Sequence, residues 1–302
     1  MKRQNFIATT ALLTAFAVAP MACNKDSGGG GASGASADML SMLPKDSAGV
    51  VGISWAKARS SALFKQYESK LMDNVPGEVA KIKSECGIDL LADINTVVVA
   101  GNTDSDKSIV AVKGNFDQTK VEACIVKMGG TNSGGVYTVE GEVTNAYWSG
   151  KDTVLLSEGL SPDTMKAAAS GGSVKDNSKL MGLIGKIDTS ATIWAVGEVP
   201  AEAGGMMGMM GKVPHSAYVS LGITSGIKAK IGLVFDSSDD ASATNGALGM
   251  GLAMAKGQPE AKQFKEILDS VSTEVSGKAV VIKAKISDKQ LAQLQDMAEL
   301  PF

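Results

Sequence analysis

The part of this chain that most constrains what can fold is its first 22 residues, because they decide where the rest folds and which residues take part. Lys2 and Arg3 open a basic start, an apolar-rich run extends from Phe6 to Val18, and Ala19-Pro20-Met21-Ala22 leads to Cys23. A basic start, a short apolar middle and small residues at a cut site describe an export signal peptide. The run is too short for a transmembrane helix, which needs about 20 apolar residues to cross the hydrocarbon core. The folding unit is therefore expected to begin after residue 22, in a compartment where cysteine pairs oxidise.

The sequence around the cut, Ala22-Cys23-Asn24-Lys25, resembles a bacterial lipoprotein precursor. The resemblance covers residues 1–23 and the spacer that follows, with Pro20 standing where Leu is usual. It implies a signal peptide over 1–22, cleavage before Cys23, acylation of that cysteine, and the lipid bilayer as a partner. Several acyl chains hold a protein firmly on a membrane where a single chain does not. Asn24, in place of Asp after the cysteine, implies sorting to the outer membrane. Residues 24–37 read NKDSGGGGASGASA, a Gly/Ser-rich composition with little to bury, so 23–37 is read as lipidated cysteine plus flexible tether.

Removing residues 1–22 from the 302-residue chain leaves 280, enough for one large domain or two small ones. Of 29 basic and 32 acidic residues, Lys2 and Arg3 leave with the signal peptide, so the mature chain carries 27 against 32, net −5. That mildly acidic balance, without a basic block, provides no electrostatic footprint for nucleic acid. Aromatic residues make up only 5%, too few for a platform that stacks bases or sugars.

Two cysteines remain beyond Cys23. Cys86 lies in GEVAKIKSECG, where Val79, Ile82 and Cys86 recur at helical spacing and Gly87 offers a stop. Cys124 lies in DQTKVEACIVKMGG, where Val121, Cys124, Ile125 and Met128 form one apolar stripe that Asp117 can cap. Two core-facing thiols in an exported chain are most simply a Cys86–Cys124 disulfide, the alternative being two buried free thiols. In the chain-entropy view a closed loop of about 39 residues contributes on the order of 4 kcal/mol.

Along the folded part, β-rich runs are read at 48–53, 94–100, 108–113, 136–140, 143–148, 153–157, 192–198, 218–223, 227–235 and 279–286. Helices are read at 60–75, around the two cysteines, near 162–169 and 177–187, from Asp239 onward, over 260–274, and after the capping box Ser287-x-x-Gln290. Phe116-Asp117 and Phe235-Asp236 each end a strand before a helix. Ser149-Gly150-Lys151 and Ser276-Gly277-Lys278 each precede a strand and then a Ser-led helix. The pattern suggests an internal duplication, 38–190 and 191–302, in an α+β fold of antiparallel sheets with helices on one face.

Chemistry is sparse. His215 is the chain's one histidine, and no serine sits in a G-x-S-x-G elbow. Gly205–Gly211 followed by Lys212-Val213 has neither the spacing nor the hydroxyl of a phosphate loop. Gly246, Gly249 and Gly251 fall inside a helical segment and are read as a close-packing stripe, not a dinucleotide turn. Asp239-Asp240 is read as an acidic helix N-terminus. Met206, Met207, Met209 and Met210, followed by His215, carry donors that suit Cu(I). The same methionines also read as an adaptable contact surface for a partner or membrane, or as an ordinary hydrophobic loop. No catalytic residue and no cofactor motif is assigned.

The stretches LPKDSAGVVGI (43–53), ECGIDLLADINTVVVAGN (85–102) and VKGNFDQTKVEACI (112–125) resemble uncharacterised envelope lipoproteins of Gram-negative bacteria. The expectation is a membrane-anchored envelope lipoprotein with a non-enzymatic binding or structural role and an envelope protein or lipid as partner. Its rivals are a hydrolase whose carboxylates the fold assembles and a periplasmic Cu(I)-binding protein.

Overall fold

In a computed structural model, the described residues are 35–73, 77–101, 108–138, 144–158, 160–170, 172–200 and 212–297. The first half of the chain forms α1 (Ala35–Met39), β1 (Gly49–Ile53), α2 (Trp55–Ser60), α3 (Ala62–Asp73), α4 (Gly77–Cys86), α5 (Leu90–Asp93), β2 (Ile94–Gly101) and β3 (Ser108–Gly114). It continues with α6 (Gln118–Lys127), β4 (Thr131–Ser133), β5 (Val136–Thr138), β6 (Thr144–Trp148), β7 (Thr153–Glu158), α7 (Pro162–Ser170) and α8 (Ser178–Ile184). The second half forms β8 (Ile193–Glu198), β9 (Ser216–Gly222), β10 (Ile227–Val234), α9 (Ser238–Gly257), α10 (Lys265–Ser270), β11 (Ser272–Ser276), β12 (Ala279–Ile286) and α11 (Asp288–Met297).

The strands of the described residues join one antiparallel sheet in the order β11-β12-β10-β9-β8-β1-β2-β3-β7-β6-β5-β4. The fold is thus α+β, as expected. Each half follows the same path: three strands in a meander, a helix, then returning strands of which the last pairs with the third. The return has four strands in the first half (β4–β7) and two in the second (β11, β12). The halves meet where β1 pairs with β8, in the register Gly49↔Gly197 to Ile53↔Ile193.

Because successive residues of a strand point to opposite faces, the registers assign every side chain to one of two sheet faces. On the front, Val50, Val98, Ala100, Ile109, Trp194, Val196 and Tyr218 form the floor of the main core. Met39 of α1, Leu40, Leu43, Met165 of α7 and Leu180, Leu183 and Ile184 of α8 cover it. The back carries smaller cores. At one end Ile125 of α6 and Phe116 pack with Tyr137, Ala146, Trp148 and Val154. At the other, Ala241 and Leu248 of α9 pack on Leu233 and Val280, and Ile267 of α10 and Leu291 of α11 pack on Ala284 and Ile286. Between them lie half-buried Val97, Val99 and Val219, and Val51 is 37% exposed.

The expectation of helices on one face is therefore corrected. A sheet whose strands are apolar on both sides needs cover on both, and the helices divide between them. Two aromatics on the front are accommodated by glycine on the neighbouring strand. A Cβ on Gly52 would stand 2.2 Å from the Trp194 indole, and one on Gly232 would stand 1.9 Å from the Tyr218 ring. Each pair is directly opposite in register, Gly52↔Trp194 and Gly232↔Tyr218.

Several local readings differ from the sequence expectation. The 60–75 segment is preceded by α2, and Ser61 is extended between α2 and α3 while its Oγ accepts from Phe64 N. Helix α1 begins inside the segment read as tether, and Ser36 is buried. The 260–274 helix is a 3₁₀ turn (Pro259–Phe264), then α10, then strand β11, which pairs with β12 through the Gly277-Lys278 turn. Gly277 has φ +61°, a region that favours glycine. Gly246, Gly249 and Gly251 are not a packing stripe, because a Cβ at any of them would meet nothing within 4 Å. Helix α9 packs through Ala241, Leu248 and Leu252 instead.

The disulfide forms as expected. Cys86, at the end of α4, is bonded to Cys124 of α6 with a Cα–Cα distance of 5.5 Å. The Asp117 side chain caps α6 by accepting from Lys120 N, and Gly87 closes α4 at φ +67°. This cross-link ties the end of α4 to α6, a helix packed on the sheet.

Two stability series test this description. Gly52→Ala should destabilise the protein by about 1–3 kcal/mol through overpacking. Gly249→Ala, in open space on a helix, should stabilise it by about 1 kcal/mol, both read by denaturant unfolding. The double variant Cys86→Ala/Cys124→Ala should lose about 2–4 kcal/mol, and reductant should destabilise the wild type but not the variant.

Candidate functional site

An open cleft of about 790 Å³ lies on the front, at the ends of β2 and β3. Its walls are the 44–47 turn on one side and the start of α8 with part of α7 on the other. Ala100, Ile109 and Leu160 form an apolar floor, and Lys45, Asp46 and Asp176 bring charge to the rim.

The walls are held by hydrogen bonds that follow from helix-end chemistry. Asn177 caps α8, its Oδ1 accepting from Leu180 N at 3.1 Å. The same side chain uses Nδ2 to donate to the carbonyls of Lys45 at 2.9 Å and Ser47 at 3.4 Å. Asp176 closes a capping box by accepting from Ser173 N at 2.7 Å. Backbone pairing of Val174 N with Leu43 O at 2.9 Å, and the bridge between Pro44 and Ser173, fasten the two walls together.

Four carboxylates, one of them at this cleft, are held low by structural partners. The Ser173 backbone N–H holds Asp176 below the usual carboxylate range. Asp89 is lowered by its hydrogen bond from Lys83, and Asp269 by Lys265 and then Lys256. Burial pulls Asp152 up, but Lys113 and Thr153 outweigh it and the net direction is down. Groups lowered in this way contribute stability above the ordinary carboxylate range, and it is lost as pH falls through their lowered values. None of these is the raised acid that proton donation to a substrate would need.

Of the expected site residues, Cys86 and Cys124 are joined in the disulfide, His215 stands apart from them, and the others, Cys23, Met206, Met207, Met209 and Met210, lie outside the described residues. His215 is half-exposed at the start of β9, its Nδ1 3.3 Å from Asp236 Oδ1, and that carboxylate is 91% exposed. The backbone of His215 is bound to Val234 and Val199 on the neighbouring chain segments. Among the described residues no three His, Cys, Asp or Glu side chains come together to hold a metal ion, and no helix is long and apolar enough to cross a membrane. Sequence reading identified Asn177 as a cap but not the cleft, whose walls are brought together across more than a hundred residues of chain.

No protein-family model and no curated protein sequence matches the chain. Its fold is similar to that of TP0453 in three crystal forms. Form I aligns with a TM-score of 0.52 at 10% identity, over 87% of this chain and 98% of that one. Form IV gives 0.52 at 11% identity over 85% and 95% of the two chains. Form III gives 0.50 at 11% identity over 86% and 98%. At this identity the likeness is one of fold.

Proposed function

We propose that this protein is a lipid-anchored lipoprotein of the bacterial envelope with a non-enzymatic binding or structural role. The observation that carries the proposal is the lipid-attachment sequence ending at Cys23, 12 residues before the first described helix at Ala35. That helix runs straight into the front core through Met39 and Leu40, so an anchored N-terminus would hold the sheet itself at the membrane. The disulfide supports export, since such bonds persist in oxidising compartments. The cleft supports binding more than chemistry. Its amide, Asn177, and one of its two carboxylates, Asp176, are occupied in caps and turn clamps, and among the described residues no base is paired with a nucleophile there. Asn24 after the anchor favours the outer membrane.

The test is fractionation with mass analysis. The wild type is expected in the membrane fraction, resistant to salt and released by detergent, with acyl mass on a peptide beginning at Cys23. Cys23→Ser should move the protein to the soluble fraction. Asn24→Asp should shift the anchored protein from outer to inner membrane on a density gradient. A soluble wild type that begins at another residue would refute the anchor.

A further inference from the structure

The pentapeptide Ile-Lys-Ala-Lys-Ile occurs twice, at 227–231 in β10 and at 282–286 in β12. The two copies pair with each other, antiparallel and in full register: Ile227↔Ile286, Lys228↔Lys285, Ala229↔Ala284, Lys230↔Lys283 and Ile231↔Ile282. The isoleucines and alanines go to the back, under α9, α10 and α11. All four lysines therefore point to the front, beyond the edge of the main core. Opposite residues in such a ladder stand about 5 Å apart at Cβ, and alternate residues of one strand about 7 Å, so the four Cβ atoms form a small square array, from which Lys230 Nζ donates to the Lys186 carbonyl and Lys283 Nζ pairs with Glu274.

Like charges directly opposite each other on paired strands are destabilising. Here two such rungs are adjacent, and Lys186, from the turn after α8, adds a fifth cation. Lys186 Nζ lies 5.9 Å and Lys230 Nζ 5.8 Å from the Tyr218 ring centre. Among the described residues, Lys283 with Glu274 is the only ion pair that any of these five lysines makes. Lys228 and Lys285 are exposed. Burial and then Lys283 hold the Lys230 ammonium below the usual lysine range, against the pull of Glu274. In a mature chain of net charge −5, Glu274 offsets only one of these cations, which leaves a local basic face.

We infer that the front of β10 and β12, through Lys228, Lys230, Lys283 and Lys285, binds the phosphates of anionic lipid headgroups. The choice of a membrane over a soluble polyanion rests on the anchored reading proposed above. Helix α1, the first described element after Cys23, packs on this same front face, so the chain enters the domain from the lysine side. Weak attraction by several lysines then suffices, because an acyl anchor and a basic patch act as two membrane signals on one molecule.

The experiment uses the whole mature chain, Cys23 to Phe302, carrying Cys23→Ser so that no acyl group contributes. Co-sedimentation is measured with phosphatidylcholine vesicles and with vesicles that also contain phosphatidylglycerol. Binding is expected only to the second, and it should fall as salt is raised. Lys228→Gln/Lys285→Gln should weaken it about 25-fold, roughly fivefold per lysine, while raising Tm because a repulsive rung is relieved. Lys228→Arg/Lys285→Arg should retain binding. Lys65→Gln/Lys120→Gln, the same charge change on α3 and α6, should leave it unaltered. Equal sedimentation with both vesicles, unchanged binding of Lys228→Gln/Lys285→Gln, or equal loss from Lys65→Gln/Lys120→Gln would overturn the inference. Capture of soluble polyphosphate without vesicle binding would overturn it in favour of a soluble partner. Failure of the anchor alone would show as unacylated Cys23 and would leave the vesicle result standing.

Discussion

The pairing of β1 with β8 holds the architecture together, because it is where two similar halves become one sheet. Its geometry depends on glycine. Gly49 and Gly197 face each other, and a Cβ on Gly197 would stand 2.9 Å from the Gly49 Cα and 3.0 Å from the Ala48 carbonyl oxygen. Three residues further along β1, Gly52 leaves room for Trp194, whose indole lies across the seam and fills the centre of the front core. Without this rung each half would present a bare strand edge, a template for pairing with other chains.

From that seam outward the two faces serve different ends. The front is plugged near the middle by α1, α7 and α8, whose residues come from widely separated parts of the first half. The back is covered at its two ends, by α6 in one half and by α9 to α11 in the other. The repeated path through the sheet places the main helix after the third strand in both halves, which explains why back cover comes in two separate patches. The front beyond the plug is left to the lysines of β10 and β12. A protein that keeps like charges on adjacent rungs gives up stability there, as sites shaped by function tend to do.

Caps, turns and the cross-link were legible from short stretches. Asp117, Asn177 and the Ser287-x-x-Gln290 box read as helix starts because an acceptor side chain and the first N–H groups lie within three residues of each other. The Cys86–Cys124 bond was legible because helical spacing places each cysteine on the apolar stripe of its own helix, where two thiols can meet. By contrast, 260–274 misread as helix because Phe264, Ile267, Leu268 and Val271 keep helical spacing across what becomes a 3₁₀ turn, a short helix and an edge strand. The glycines of α9 misled for a related reason: small residues at helical spacing look alike whether another helix lies against them or open space does.

The sequence by itself determined the α+β class, the capped helix starts and the disulfide, all of which rest on neighbours close in the chain or on composition. Tertiary structure alone decided which face each strand shows, that helices cover both, that the 44–47 turn meets α8 to form a cleft, and where the lysines meet. The two Ile-Lys-Ala-Lys-Ile segments are plain to read as letters. That they pair with each other in register, and so gather their charges on one side, depends on the order of strands in the sheet. Strand order is set by packing over long chain separations, which no local pattern encodes.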